Sequence, residues 1–279
     1  MVGAHRGFGA RLSRWLFLLI LTTGGLTMVI PFLWSLSTAL KPLGEALAFP
    51  PIWIPHPFLW SNFVKTWETV PIGRWFLNST IVAIVVVAGN LVFDSMAGYA
   101  LARIRFKGSN LLFLAIISML MIPFQAIMLP VYIILHDLGL LNSYAGLILP
   151  TLISAMGVFL MRQAFSTIPR ELDEAAIMDG ASHWTIFWRI AIPMVRPNLL
   201  TLVLITFMGS WNNFLLPLLV ANSTNLWTLP MGMVLFQQQY YTNWPYLMAA
   251  AVMATVPVAI LFLIFQRSFI QGIATTGIR

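Results

Sequence analysis

Apolar residues run along this chain in long blocks, broken by short polar or proline-bearing stretches. A helix needs about 20 mostly apolar residues to cross a bilayer. Six segments meet that length, near 15–36, 75–101, 111–135, 145–161, 199–220 and 246–265. The first is too long for the apolar core of a signal peptide, and Phe17, Phe32 and Trp34 fill it, so it reads as an uncleaved helix. Pro123, Pro130, Pro150, Pro217 and Pro257 lie in or beside these segments. Each removes a backbone donor and predicts a kink. The expected fold class is an all-α membrane protein of six transmembrane helices. Residues 1–279 are expected to form one transmembrane domain, with outer segments at about 41–74 and 221–246 and an inner loop at about 170–198.

Composition supports this pattern. The chain is 59% hydrophobic and only 8% charged, about a third of the charge a soluble domain carries. A soluble enzyme or binding module is excluded, because so few charges cannot cover its surface. Where the charges sit matters more than their sum. Lys and Arg mark the inner connections of membrane proteins. Arg6, Arg11 and Arg14 precede the first span, Arg103, Arg105 and Lys107 follow the second, Arg162, Arg170, Arg189 and Arg196 flank the fourth connection, and Arg267 and Arg279 end the chain. Only Lys41, Lys65 and Arg74 fall in the alternate connections, three against twelve. Both termini and the second and fourth connections are therefore predicted to be cytoplasmic, in a multi-pass protein of the cell (inner) membrane. The net charge of +7 is an address, and no nucleic-acid partner is expected.

The outer segments have their own pattern. In 41–74, which holds six prolines, Leu59, Phe63, Trp67 and Val70 recur at helical spacing between the last two. This predicts an extended stretch and a short surface helix, with Trp60 and Trp67 at headgroup depth. Residues 221–246 carry no charge and are rich in amides and aromatics, including Trp227, Gln237, Gln238, Tyr240, Tyr241 and Trp244. Such a surface suits sugar hydroxyls and pyranose faces, and equally an ordinary interfacial loop.

Four of the eight acids, Glu171, Asp173, Glu174 and Asp179, cluster in the fourth connection. Pro169 suits a first helical turn and the acids favour its N-terminal dipole. Gly180 is a natural stop, Ser182 a cap for a second helix, and Pro193 its limit. Leu172, Ala175, Ala176 and Asp179 share one face, where two alanines let another surface approach. Asp94, inside the second span, is a functional candidate by default or a neutral or paired structural acid. Gln125, Trp211, Asn212 and Asn213 are the polar and aromatic candidates for a pathway lining. There is no cysteine, and four scattered histidines make no metal-binding spacing. No Gly-Lys dipeptide occurs, so no phosphate-cradling Walker loop exists.

The spacing Glu174-Ala175-Ala176, Gly180, Ile190-x-Ile192-Pro193 resembles the EAA loop of ABC importer permeases, with Ile192 where the family has Leu. The resemblance continues through Asn78-Ser79, Ala97-Gly98-Tyr99-Ala100-Leu101-Ala102-Arg103, Met121-Ile122-Pro123-Phe124-Gln125, Leu129-Pro130-Val131-Tyr132, Phe159-Leu160-Met161-Arg162-Gln163, Trp211-Asn212-Asn213-Phe214 and Phe265-Gln266-Arg267. The end, Ile273 to Arg279, lacks the common Lys-Gly. The chain looks like a carbohydrate-uptake permease, in particular the shorter partner of the maltose-type pair. The resemblance implies the type I permease fold and a second permease subunit. It also implies an ATPase dimer holding ATP and Mg, no cofactor on this chain, and an extracytoplasmic sugar-binding protein. It implies that the chain is not an enzyme, that Glu174, Ala175, Ala176, Asp179, Gly180, Ile190 and Pro193 carry coupling to the ATPase, and that 226–246 reaches the binding protein. Inward sugar transport by alternating access follows. Remaining alternatives are the same role with glycerol-phosphate or an amino sugar as cargo, an ion-coupled transporter using Asp94, and a membrane scaffold without transport.

Overall fold

The structure, a computed structural model, describes residues 5–237 and 242–276, with side chains from 13 to 266. Fourteen helices follow in order among the described residues: α1 (His5–Ala39), α2 (Ser61–Thr69), α3 (Ile72–Arg103), α4 (Ser109–Ser118), α5 (Phe124–Asp137), α6 (Tyr144–Ile148), α7 (Ala155–Ser166), α8 (Arg170–Met178), α9 (His183–Ile186), α10 (Ile192–Met194), α11 (Arg196–Trp211), α12 (Leu215–Val220), α13 (Leu229–Gly232) and α14 (Trp244–Thr276). Among the described residues one isolated bridge, Gln237 to Thr242, is the only β pairing.

Three stretches cross a membrane by length and apolarity as single helices: Ser13–Ala39, Ile72–Arg103 and Trp244–Gln266. Three more qualify only as bent pairs, Ser109–Met121 with Phe124–Asp137 at 103°, Tyr144–Thr151 with Ala155–Ser166 at 43°, and His183–Met194 with Arg196–Trp211 at 80°. One of these breaks falls at a predicted proline and a second closely follows one. Pro123 cannot donate into the preceding turn, and Pro150 sits in the tight turn Leu149–Thr151. The fifth predicted segment, 199–220, is not one helix. α11 stops at Trp211, and Asn213 accepts from the Leu216 N–H at 3.3 Å to start α12. Asn in that role is a helix start, which an apolar window cannot register.

The chain divides into two compact units, Met1–Val70 with Leu235–Thr255, and Pro71–Val234 with Val256–Arg279. In the first, the segment after α1 folds back on its own helix end. The Asn62 amide donates to the Ala39 and Lys41 carbonyls, both at 2.9 Å, and Leu59 N–H donates to Leu40 O. α2 thus turns its polar residues Asn62 and Thr66 inward and leaves Trp60, Val64 and Trp67 exposed. An apolar face left open beside a membrane span fits the headgroup layer. Lys41 is fully buried, with its ammonium 3.9 Å from the Trp34 ring centre, a cation–π contact. Burial pushes its pKa below the ordinary lysine value, and the Glu45 carboxylate draws it partly back.

The second unit is built on α3 against α7 and α11. Gly98 lets α7 approach, since a Cβ there would lie 2.7 Å from Met161 Cβ and 2.8 Å from the Arg162 nitrogen. At the Ile72 end of α3, the segment after α12 is strapped down. Asn78 donates to the Asn225 and Trp227 carbonyls, both at 2.8 Å, and accepts from the Tyr144 hydroxyl at 2.6 Å. Trp75 Nε1 donates to Thr224 O, and Leu229 N–H donates to Ser79 Oγ. Asn78→Ala leaves two carbonyls and one hydroxyl without this partner. Each unmet buried group costs about 1–3 kcal/mol. Faster amide exchange across 221–234 is the expected result, and unchanged protection would refute this account.

Candidate functional site

The predicted inner loop is a folded elbow. Pro169 precedes α8 rather than lying in its first turn, and Glu171 and Asp173 occupy that turn. The exit is a Schellman arrangement: Ala181 N–H donates to Ala176 O and Gly180 N–H to Ile177 O, both at 2.9 Å, with Gly180 at φ +82°. Only glycine takes that conformation without a steric cost. Ser182 Oγ then accepts from Thr185 N–H and caps α9. Pro193 does not end the helix. A π-helical stretch, Phe187–Ala191, widens the ladder just before it, and helix continues to Met194. Such widening accommodates a position that cannot donate to its preceding turn.

The elbow is anchored by aromatic packing and one arginine. Tyr99, Phe165 and Phe187 meet edge to face, with ring centres 5.1 and 5.5 Å apart, among buried Ile168, Ala176 and Ile186. Arg103 ends α3 there, its side chain only 3% exposed. Its Nε donates to Asp173 Oδ2 at 2.7 Å, Nη1 to Ile168 O at 2.7 Å and Nη2 to Pro169 O at 3.1 Å. The guanidinium fork thus binds the acid in the first turn of α8 and the two carbonyls that lead into it. The sequence marked Arg103 only as a topology charge; its signal was a place at the end of the Ala97–Arg103 run.

The predicted docking face needs one correction. Ala176 is buried in the chain's own core and offers nothing outward. The helix turns it toward Phe165 and Phe187, because the aromatic cluster needs a small residue there. Glu171, Glu174, Ala175, Asp179 and Gly180 are exposed, with Leu172, Ile177 and Met178, the last 87% exposed. Ile190 and Pro193 are half-buried. Among the described residues no ion pair engages Glu174 or Asp179. The outward face is therefore acidic and apolar together.

A second candidate lies midway along α3. Asn90 is 18 residues from one end of the helix and 13 from the other, about 27 and 20 Å at 1.5 Å per residue. A partly open cavity of about 310 Å³ is lined there by Asn90, Thr151, Ser154, Thr206, Ser210 and Asn213, with apolar neighbours and no charged side chain. The Asn90 amide donates to Val86 O and Thr151 O and accepts from Thr206 Oγ1 at 3.4 Å. One turn away, Asp94 is fully buried, and its Oδ1 accepts from Ser154 N–H at 3.0 Å. The carboxyl group sits at the N-terminus of α7, beside its N-cap Ser154. It faces Gly157, where any Cβ would strike it. Asp94 is thus held within the chain at Oδ1, while its buried Oδ2 has no hydrogen-bond partner.

Of the predicted lining residues, only Asn213 reaches this cavity. Trp211 is a correction: it is 3% exposed and packs on Phe207 and Phe76, so it lines nothing open. A large aromatic gains more from burial than from facing a polar path. Asn212 is exposed and bonds back to Met208 O, and Gln125 is exposed in the first turn of α5. Asn90, Thr206 and Ser210 were missed, because isolated small polar residues leave no mark in an apolar span. In the 221–246 segment, Trp227 donates to Ala221 O at 3.2 Å and its ring lies tilted against Trp75. Gln237 is exposed and Trp244 starts α14. Gln238, Tyr240 and Tyr241 lie outside the described residues.

Residues 94–275, from the buried acid through the elbow to the last helix, match the family described as binding-protein-dependent transport system inner membrane component. The chain belongs to this family. It is 39% identical over 244 residues to the arabinooligosaccharides transport system permease protein AraQ of Halalkalibacterium halodurans, covering 87% of this chain and 86% of that one. It is 33% identical over 263 residues to the sn-glycerol-3-phosphate transport system permease protein UgpE of Yersinia pestis, covering 91% and 94%. A solved structure of a bacterial ABC transporter involved in import of the acidic polysaccharide alginate shares the fold, with a TM-score of 0.82 at 21% identity over 94% of this chain and 98% of that one. The all-α permease fold expected from the sequence is thereby established. As an inner membrane component, the chain is a multi-pass permease subunit working with other transport components.

Proposed function

We propose that this permease passes a neutral sugar inward, as one of two permease subunits served by an ATPase dimer and an extracytoplasmic sugar-binding protein. ATP and Mg belong to the ATPase, and this chain holds no cofactor. Residues 1–279 act as one permease domain, with both termini and the elbow in the cytoplasm. Twelve of fifteen basic residues on alternate connections support that orientation.

The elbow carries the proposal. It is clamped rigidly to α3 by Arg103 on one side and presents an acidic, apolar face on the other. A rigid lever transmits displacement from an ATPase to membrane helices, where a loose loop would absorb it. Glu174, Ala175, Asp179 and Gly180 form its contact surface, with Ile190 and Pro193 behind it and Ala176 holding it to the core. Alternating access follows when the levers of the two permease subunits move with their ATPases. Trp227, Gln237, Gln238, Tyr240, Tyr241 and Trp244 belong to the segment proposed to meet the binding protein.

The absence of charged side chains from the lining of the Asn90 cavity supports a polyhydroxyl cargo. Relatives include arabinooligosaccharide and glycerol-3-phosphate permeases. An anionic cargo would be expected to draw Arg or Lys into the pathway.

Reconstitution in proteoliposomes with the partner permease, ATPase and binding protein tests this reading. Neutral oligosaccharides should stimulate ATP hydrolysis and enter the vesicles. Stimulation by glycerol 3-phosphate alone would reassign the cargo, and uptake without ATP would overturn the mechanism. Glu174→Ala should leave the complex assembled while uptake falls at least about tenfold, the effect of losing one interaction worth roughly 1.4 kcal/mol. Normal uptake in that variant would remove Glu174 from coupling.

A further inference from the structure

We infer that a basic cavity beside α4 holds the phosphate of an anionic phospholipid of the inner leaflet. The cavity, about 540 Å³, is lined by Arg105, Lys107, Arg162 and Arg170 together with Ser109 and Asn110, and by no acidic side chain. Four of the chain's fifteen basic residues converge there. The neighbouring Arg103 is spent on Asp173 and two carbonyls, so Asp173 neutralises none of the four. Topology alone asks for cations in an inner loop; it does not ask them to line one cavity.

Two further features point to a phosphate. The Arg162 guanidinium carbon sits over the Phe113 ring, 3.6 Å from its centre, and its Nε is buried without a hydrogen-bond partner. A buried guanidinium donor left unmet is costly until an acceptor arrives. α4 begins at this cavity with Gly108 as its N-cap, at φ +88°, and no side chain caps the helix. Anionic oxygens are favoured at such a terminus.

The surroundings select a lipid. α4 runs away from the cavity with Leu111 72% and Leu114 64% exposed, and Phe106 is exposed at its rim. A soluble anion would leave that apolar strip bare, while acyl chains cover it. Basic pockets between membrane helices on the cytoplasmic side suit acidic headgroups. The inference rests on the inner placement of this connection and not on the cargo.

The test is native mass spectrometry of the full chain in mild detergent, with equimolar phosphatidylglycerol and phosphatidylcholine. Phosphatidylglycerol should be retained preferentially. Arg105→Gln with Lys107→Gln, both exposed positions, should reduce that preference more than tenfold, at about fivefold per charge near the headgroup. The exposed pair Arg189→Gln with Arg196→Gln should keep it. Equal loss in both pairs, or none in the first, overturns the proposal. So does displacement of the lipid by millimolar inorganic phosphate, which marks a free-anion site. Unchanged lipid preference with loss of the ATPase on co-purification marks a protein contact instead, and also overturns it. Binding in detergent does not depend on sidedness. A wrong topology would appear separately, as outside labelling of a cysteine placed at Phe106.

Discussion

Arg103→Ala should unseat the elbow and destabilise the protein by about 3–5 kcal/mol, the usual cost of removing one partner from a buried ion pair. The loss has three parts. Asp173, whose side chain is 16% exposed, keeps a charge with no counter-ion. The Ile168 and Pro169 carbonyls lose their donor. The end of α3 loses its hold on the entry to α8. Arg103→Lys retains the charge but lacks the planar fork whose three nitrogens each reach a different acceptor, so it should recover only part of the stability. Asp173→Asn should be milder than either, because the guanidinium still meets both carbonyls. Thermal unfolding of the purified chain in detergent ranks the three. A melting point for Arg103→Ala equal to that of the parent would show that packing alone holds the elbow.

Gly98→Val should be the most damaging change within the membrane-spanning part. The atoms it would strike are Met161 Cβ, the Arg162 nitrogen at 2.8 Å and the Met161 carbonyl carbon at 3.0 Å. Main-chain atoms cannot swing aside as a side-chain tip does, so α3 and α7 must separate. Overpacking of this kind costs about 1–3 kcal/mol and more where nothing yields. The same movement would draw Asp94 away from Ser154 and break its bond to the Ser154 N–H. Gly209→Ala is the control, since nothing lies within 4 Å of a Cβ there and alanine favours a helix. It should match or slightly exceed the parent in thermal stability. Equal stability of Gly98→Val and Gly209→Ala would remove close approach as the reason for Gly98.

The elbow shows how far local chemistry reaches. Its two helices, the Gly180 exit and the Ser182 cap were legible because each depends on residues three or four positions apart. The role of Ala176 was not, because alanine at a helix face carries no sign of which side is covered. Trp211 failed similarly: an aromatic in an apolar run fits a pathway wall and a packed core equally well until Phe76 and Phe207 are placed around it. Pro193 was read as a stop because α-helical hydrogen bonding was assumed, and the π-helical stretch relaxes that assumption.

By itself the sequence determined that this chain lives in a membrane, how many spans its length allows, which connections gather positive charge, and where one loop folds into an acidic helical elbow. These properties are sums or short-range patterns: transfer of apolar runs into lipid, counts of Lys and Arg, caps and stops within one helical turn. Tertiary structure alone decided that Arg103 clamps Asp173 from 70 residues away and that Asn78 straps a segment about 150 residues further on. It also decided that Asp94 accepts from the Ser154 N–H just before α7 and that four cations share one cavity. The physical reason is that hydropathy records whether a residue leaves water but not what it meets. For a polar group in an apolar surround the partner decides everything, and that partner lies far along the chain.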